Sequence, residues 1–177
     1  FAAQGKRLPD WPVAVSASGG KHYFDDAQEW PDTLVVTWDY PGATLVYEMR
    51  IWSPNPLEGE EEGAAIYGDN GYVRIGNSGW QAFGPKGEKG PSGTSPNEEH
   101  DRAHKLDFLE CIRRGRRPAC DIEVGHVASG YTHLGNIAWR VDRKLRFDAV
   151  AQRFTGDDEA NALLGRQYRK PWVLPEV

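Results

Sequence analysis

Residues 121–145, DIEVGHVASGYTHLGNIAWRVDRKL, constrain the fold more than any other stretch of the chain. Apolar residues fall at Val124, Val127, Tyr131, Leu134, Ala138, Val141 and Leu145, in alternating steps of three and four. Such steps stack into one stripe on a helix, and the stripe needs a cover. The strand-like segments on either side are the natural candidates, which puts the helix at the centre of a layered domain. Asp121, three residues after Pro118, is a good N-cap because its carboxylate can accept bonds from first-turn amides. Arg140, Arg143 and Lys144 place positive charge near the negative end of the helix dipole.

His126, His133 and Arg140 follow at intervals of seven and share a second, polar line on this helix. That line is either a solvated face whose histidines cap neighbouring elements, or a row facing a ligand cleft. Gly125, Gly130 and Gly135 each cost the helix about 1 kcal/mol relative to alanine. They are expected to mark close approach of other backbone, or an interruption of the helix.

The segment GHVASGYTHLGNIAWRVDRKLRFD, preceded by DFLECIRRGRRPACDIE and followed by FTGDDEANALLGRQYRKPWVLP, resembles the C-terminal domain of the glucose-fructose oxidoreductase and inositol dehydrogenase family (Gfo/Idh/MocA), in a bacterial branch. Upstream, WPDTLVVTWDYPGATLVYEMRIW and AAIYGDNGYVRI fit the same pattern in the same order. The resemblance implies an α+β fold, an open, mainly antiparallel mixed β-sheet with helices packed on one face, over a single domain, 1–177. It implies an N-terminal Rossmann domain, absent from this chain, that binds NAD or NADP. It further implies a sugar, polyol or related carbinol as substrate, and a homo-oligomer formed through the exposed sheet face. The family's acid/base lysine and its Asp and His pair find no matching positions here, so no catalytic residue is carried over.

Composition bounds the alternatives. At 177 residues the chain is long enough for one domain with a proper core. No apolar run is long enough to cross a bilayer, so no membrane is expected as a partner. The net charge of -5 argues against nucleic acid. Arg113, Arg114, Arg116 and Arg117 are the counter-evidence, but they sit where a helix should end and read as a solvated, dipole-complementing loop. Cys111 and Cys120 form no metal or redox spacing, which leaves a bridge between them open and a reduced, cytoplasmic setting as the expectation. With Phe1 first and Met49 the only methionine, the chain is not expected to begin where translation began.

Along the chain, residues 1–12 read as an irregular lead-in and 13–18 as a strand ending at Gly19 and Gly20. Residues 34–40 and 45–52 alternate around Pro41-Gly42, which pairs Trp38 with Leu45 and Val36 with Tyr47. Residues 54–63 form an acidic loop without calcium-loop spacing. Gly68-Asp69-Asn70-Gly71 is a strong hairpin signal between 65–67 and 72–75, and 80–83 adds a further strand. Residues 84–93, GPKGEKGPSG, read as a flexible loop. A helix over 98–114 carries Ala103, Leu106, Leu109 and Ile112 on one side, with Gly115 to stop it. Residues 145–148 read as an edge strand, and Asp157 as the cap of a short helix ending near Gly165.

Strong catalytic signatures are missing: there is no GxGxxG, GxSxG or P-loop. His100 and His104 have metal-ligand spacing, but Asp101 stands where metalloprotease motifs carry glutamate. Candidate substrate-facing residues are His126 and His133; candidate domain-docking residues are Arg166, Arg169 and Trp172. Glu48 and Arg50 read as an interface or a solvated ion pair. Three function classes follow. The first is a substrate-covering and oligomerisation domain of an NAD(P)-dependent oxidoreductase, inactive alone. The second is a stand-alone carbohydrate-binding or assembly module. The third is a glycosidase using carboxylates from Asp39, Glu48, Asp121 or Glu123, which requires suitable separations within one cleft.

Overall fold

In the computed structural model the described residues are 2–3, 6–7, 11–57, 59–94 and 97–173. The chain runs β1 (Ala2–Ala3), β2 (Lys6–Arg7), β3 (Ala14–Gly20), β4 (Thr33–Tyr40), β5 (Ala43–Arg50), β6 (Gly63–Gly68), β7 (Gly71–Gly76), β8 (Gly79–Phe83), β9 (Lys89–Thr94), α1 (Asn97–Arg114), α2 (Ile122–Arg140), β10 (Leu145–Asp148), β11 (Arg153–Phe154) and α3 (Asp158–Ala162). Two compact units result, Phe1–Trp52 with His126–Val177, and Ser53–Gly125.

In the first unit, strict alternation over β4 and β5 produces the expected hairpin, with Trp38 opposite Leu45 and Val36 opposite Tyr47. The five-stranded sheet has the order β11-β10-β3-β4-β5, and its pairings are antiparallel. One face carries Val15, Leu34, Val36, Trp38, Tyr40, Leu145, Phe147 and Phe154, which pack with Leu134, Ile137, Ala138 and Val141 of α2. Fully burying one such aliphatic side chain contributes roughly 1.5–3 kcal/mol, so this face is the main source of stability for the unit. The opposite face presents Ser16, Thr37, Val46 and Glu48, with Ser16 Oγ and Thr37 Oγ1 hydrogen-bonded at 2.6 Å. The fold is thus α+β with helix on one sheet face, as expected.

Several local expectations need correction. The central helix ends at Arg140 and not at Leu145. Asp142 takes φ 52°, and the Arg143 amide reaches back to the Ala138 carbonyl at 3.4 Å. A left-handed residue closes the helix this way, and aspartate tolerates that conformation better than most side chains. Leu145 therefore keeps its buried place as a strand residue. β10 is an internal strand, between β3 and β11, because the two-residue β11 pairs outside it. The lead-in holds a short ladder, Ala2 with Arg7 and Ala3 with Lys6; residues 1, 4–5 and 8–10 of that lead-in lie outside the described residues. The glycines of α2 leave it uninterrupted, and at two of them side chains approach instead of backbone: Trp11 covers Gly130, and Val36 and Trp38 cover Gly135, while among the described residues nothing lies within 4 Å of a Cβ added at Gly125.

In the second unit, β6, β7, β8 and β9 form a four-stranded antiparallel sheet. The stretch expected as a flexible loop over 84–93 is a tight turn followed by β9. Gln81 Nε2 donates to the carbonyls of Gly90 and Pro91, and a side chain at Gly93 would collide with the Trp80 indole. Glycine and proline there fit an edge strand lying close under a tryptophan. On α1 the expected stripe forms, but Leu106, Leu109 and Ile112 are exposed, while Cys111 is buried.

Candidate functional site

The polar line of α2 begins just after its cap. Asp121 Oδ1 accepts the amides of Glu123 at 3.0 Å and Val124 at 3.1 Å, as its position suggested. His126, exposed on the next turn, places Nε2 at 3.2 Å from Gln152 Oε1. Gln152 is held for that contact: its Nε2 donates to the Ala149 carbonyl at 2.6 Å, and it takes φ 51° at the end of a turn. Asp148 Oδ1 fixes the turn by accepting the amides of Val150 and Ala151. An amide oxygen can only accept, so His126 Nε2 donates and, in the neutral ring, Nδ1 keeps its lone pair.

The histidine ring leans edge-on against Trp11, with centroids 5.3 Å apart. Trp11 in turn contacts Tyr131 and Phe147, and Gly130 leaves the space that its ring occupies. Behind this wall the hydroxyls of Tyr40 and Tyr131 bond to each other, and among the described residues the buried Trp38 Nε1 has no hydrogen-bond partner. A fixed imidazole with an available Nδ1 beside an indole can bond to a hydroxyl or take its proton.

His133, seven residues on, is exposed and joins none of these groups. Arg140 lies over Trp30, its guanidinium carbon 5.6 Å from the ring centroid. The three residues of the line thus share a face of α2 without sharing a partner. Arg166, Arg169 and Trp172 are all exposed in one stretch after α3, where the Trp172 amide donates to the Arg169 carbonyl at 2.8 Å.

Asp32 is a constellation that the sequence did not reveal. It is 1% exposed, and its carboxylate accepts the amides of His22, Tyr23 and Phe24 and the hydroxyl of Thr33. Burial pushes this carboxyl up, but the Phe24, Tyr23 and His22 amides and the Thr33 hydroxyl together hold it well below the usual carboxylate range. The loop so organised stacks Tyr23 on Trp52, 5.2 Å between centroids. Its donors are mainly backbone amides eight to ten residues away, and amides carry no sequence signature.

The carboxylates considered for glycoside chemistry are each paired with a cation: Asp39 with Lys144 at 2.5 Å, Glu48 with Arg50 at 3.0 Å, and Asp121 and Glu123 with Arg117 at 2.7 and 3.0 Å. The basic cluster is paired as well, Arg113 and Arg114 with Glu110 and Arg116 with Asp107. Asp101 bonds Lys105, and among the described residues no three His, Cys, Asp or Glu side chains gather as metal ligands would. Among the described residues no helix is long and apolar enough to cross a membrane.

An antiparallel sheet backed by one long helix, with a histidine fixed on the helix, defines an α+β domain. Residues 92–174, just under half of the chain, match the family model described as the oxidoreductase family, C-terminal alpha/beta domain. No curated protein matches. Among solved structures, a proposed oxidoreductase from Klebsiella pneumoniae aligns with TM-score 0.57 at 10% identity, over 87% of this chain and 48% of its own. One from Thermotoga maritima aligns with TM-score 0.54 at 14% identity, over 78% and 40%. The proposed oxidoreductase yvaA from Bacillus subtilis aligns with TM-score 0.55 at 13% identity, over 78% and 46%. At these identities the likeness is one of fold, and the chain spans about half the length of the structures it matches.

Proposed function

We propose that this chain is the substrate-side domain of an oxidoreductase that moves a hydride between NAD or NADP and a sugar, polyol or related carbinol. The observation that carries the reading is the family match over 92–174, on a fold whose sheet keeps α2 on one face and leaves the other open. Among the described residues, the glycine-rich turn of the chain does not fit a nucleotide. A pyrophosphate seat needs a strand that leads through a glycine-rich turn into a helix N-terminus, and Gly68–Gly71 instead closes an antiparallel hairpin. The nucleotide is therefore assigned to a separate domain, and the chain alone is expected to be inactive.

In this reading the nucleotide accepts or returns the hydride, and a protein group must handle the hydroxyl proton. His126 supports a substrate-facing role through its fixed ring and available Nδ1; His133 lies farther along the same face. Arg166, Arg169 and Trp172 are assigned to docking of the nucleotide domain, which suits their shared exposure. The open sheet face, with Val46 60% exposed, is assigned to pairing with a second copy. Free thiols at Cys111 and Cys120 support a reducing, cytoplasmic setting.

Thermal unfolding of the chain with NADH and with NADPH tests the division of labour. A ligand at a hundred times its Kd adds about 2.7 kcal/mol, a shift of several degrees for a domain of this size. No shift with either is expected. A clear shift would place a nucleotide site on this chain and overturn the reading.

A further inference from the structure

We propose that the edge of the β6–β9 sheet at Tyr67 is a saccharide-binding site, an assignment that rests on the sugar reading and adds to it a further place of contact. Tyr67, Tyr72 and Phe83 stand opposite one another on β6, β7 and β8. Their rings form a parallel row, 5.1 Å between the first pair and 4.5 Å between the second, tilted by 25° and 9°. Cross-strand spacing holds the row in place. Arg74 lies over Phe83 at the inner end, 5.6 Å from the centroid. Tyr67 ends the row on the edge strand, with a ring neighbour on one side only among the described residues and 70% of its surface exposed.

Tyr67 and Tyr72 also line an open surface depression of about 320 Å³, together with Gly68, Asp69, Gly71, Gly84, Pro85 and Gly87. Its volume is that of a small-ligand site. Four of its eight lining residues are glycine, and the turn at its rim is fixed by the Gly84 amide donating to the Glu88 carbonyl and the Gly87 amide to the Gly84 carbonyl. The row of rings decides among ligand classes. Parallel rings offer one face and not the several that enclose a quaternary ammonium. Asp69 at the rim and the net charge of -5 oppose phosphates and other anions. A sugar ring has an apolar C–H face to lie on a tyrosine, and hydroxyls that can donate to the Asp69 carboxylate at the rim.

The test is saturation-transfer NMR of the chain with glucose, myo-inositol and cellobiose at millimolar concentration. Transfer to the C–H protons of at least one of them is expected. It should fall at least about fivefold in Tyr67→Ala, persist in Tyr67→Phe, which keeps the ring, and be unchanged in Tyr23→Ala, which removes an exposed aromatic from the loop between β3 and β4. Folding of each variant is checked by its amide spectrum. Transfer that survives Tyr67→Ala would remove this site while leaving a sugar ligand elsewhere on the chain. Absence of transfer from all three sugars in the unaltered chain would also remove it, and the nucleotide measurement still decides the larger reading separately. Stronger transfer to indole than to any sugar would overturn the ligand class.

Discussion

The hydroxyls of Tyr40 on β4 and Tyr131 on α2, 91 residues apart in sequence, bond to each other at the junction of sheet and helix. This bond ties α2 to the sheet on the side where Trp11 and His126 sit. Replacing Tyr131 with phenylalanine should cost about 1 kcal/mol, the usual net value of one such bond. The double variant Y40F/Y131F should cost less than the sum of the two single changes, because both lose the same bond. Urea unfolding midpoints of the four proteins measure this; strict additivity would show that the hydroxyls act independently.

The three glycines of α2 should respond differently to alanine. Gly125 has nothing within 4 Å of an added Cβ, so Gly125→Ala should gain up to about 1 kcal/mol of helix propensity. At Gly130 the new methyl overlaps the Trp11 ring, and moving that ring also disturbs His126, so Gly130→Ala should lose stability. At Gly135 the methyl comes 3.0 Å from Val36 Cγ1, where overpacking of about 1–3 kcal/mol opposes the gain. The expected order of urea midpoints is G125A, unaltered, then G135A and G130A. Stabilisation by G130A would mean that Trp11 is not seated against the helix.

These glycines also mark how far the sequence could be read. Period-two alternation, with Pro41-Gly42 taken as the turn, gave the Trp38–Leu45 and Val36–Tyr47 pairs that form, because one slipped position would turn Val36 and Trp38 out of the core. The Asn-Gly signal specified the β6–β7 turn in the same way. The end of α2 was not legible, because Asp142 supplies a left-handed cap that glycine usually provides. β9 was hidden by glycine and proline, whose use there depends on Trp80 and Gln81 of the neighbouring strand. At the candidate site, heptad spacing put His126 and His133 on one face of α2. Their different surroundings depend on Trp11 and Gln152, which approach from distant parts of the chain.

Arg143 and Asp157 give the first unit an acid-sensitive joint. Arg143 makes two bonds to Asp157, Nε and Nη2 each at 2.8 Å, and a third to Glu159 at 2.7 Å, while Asp157 caps α3 through the Ala160 amide. The Arg143 bond first, and the Ala160 amide second, lower the Asp157 carboxyl to about 2 from an ordinary value of 3.8. A carboxyl lowered by folding contributes stability that is fully present above its unfolded value and is lost as pH falls through its folded value. The loss should therefore run from about pH 4 down to about pH 2. Asp157→Asn can still cap the helix but removes the charge, so its unfolding midpoint should lie below that of the unaltered chain at pH 6 and converge with it near pH 2. Parallel curves over that range would show that the pair is not coupled to folding.

The last prediction concerns the open sheet face. Val35, opposite Glu48, and Val46, opposite Thr37, lie on the side away from α2, and both are exposed. The Glu48 and Arg50 ion pair shares that side, next to the edge made by β5. A sheet face that is part apolar and part charge-paired suits a self-complementary contact, in which each copy presents the same patch to the other. A lysine at Val46 would put a charge at the middle of such a contact and repel its own symmetry mate. Val46→Lys should therefore lower the molar mass measured by light scattering from that of a dimer or higher form to that of a single chain. Because the position is already solvated in one chain, the far-ultraviolet spectrum and the unfolding midpoint at high dilution should stay unchanged. A single-chain mass for the unaltered protein, or a mass unaffected by the lysine, would assign the contact to another surface.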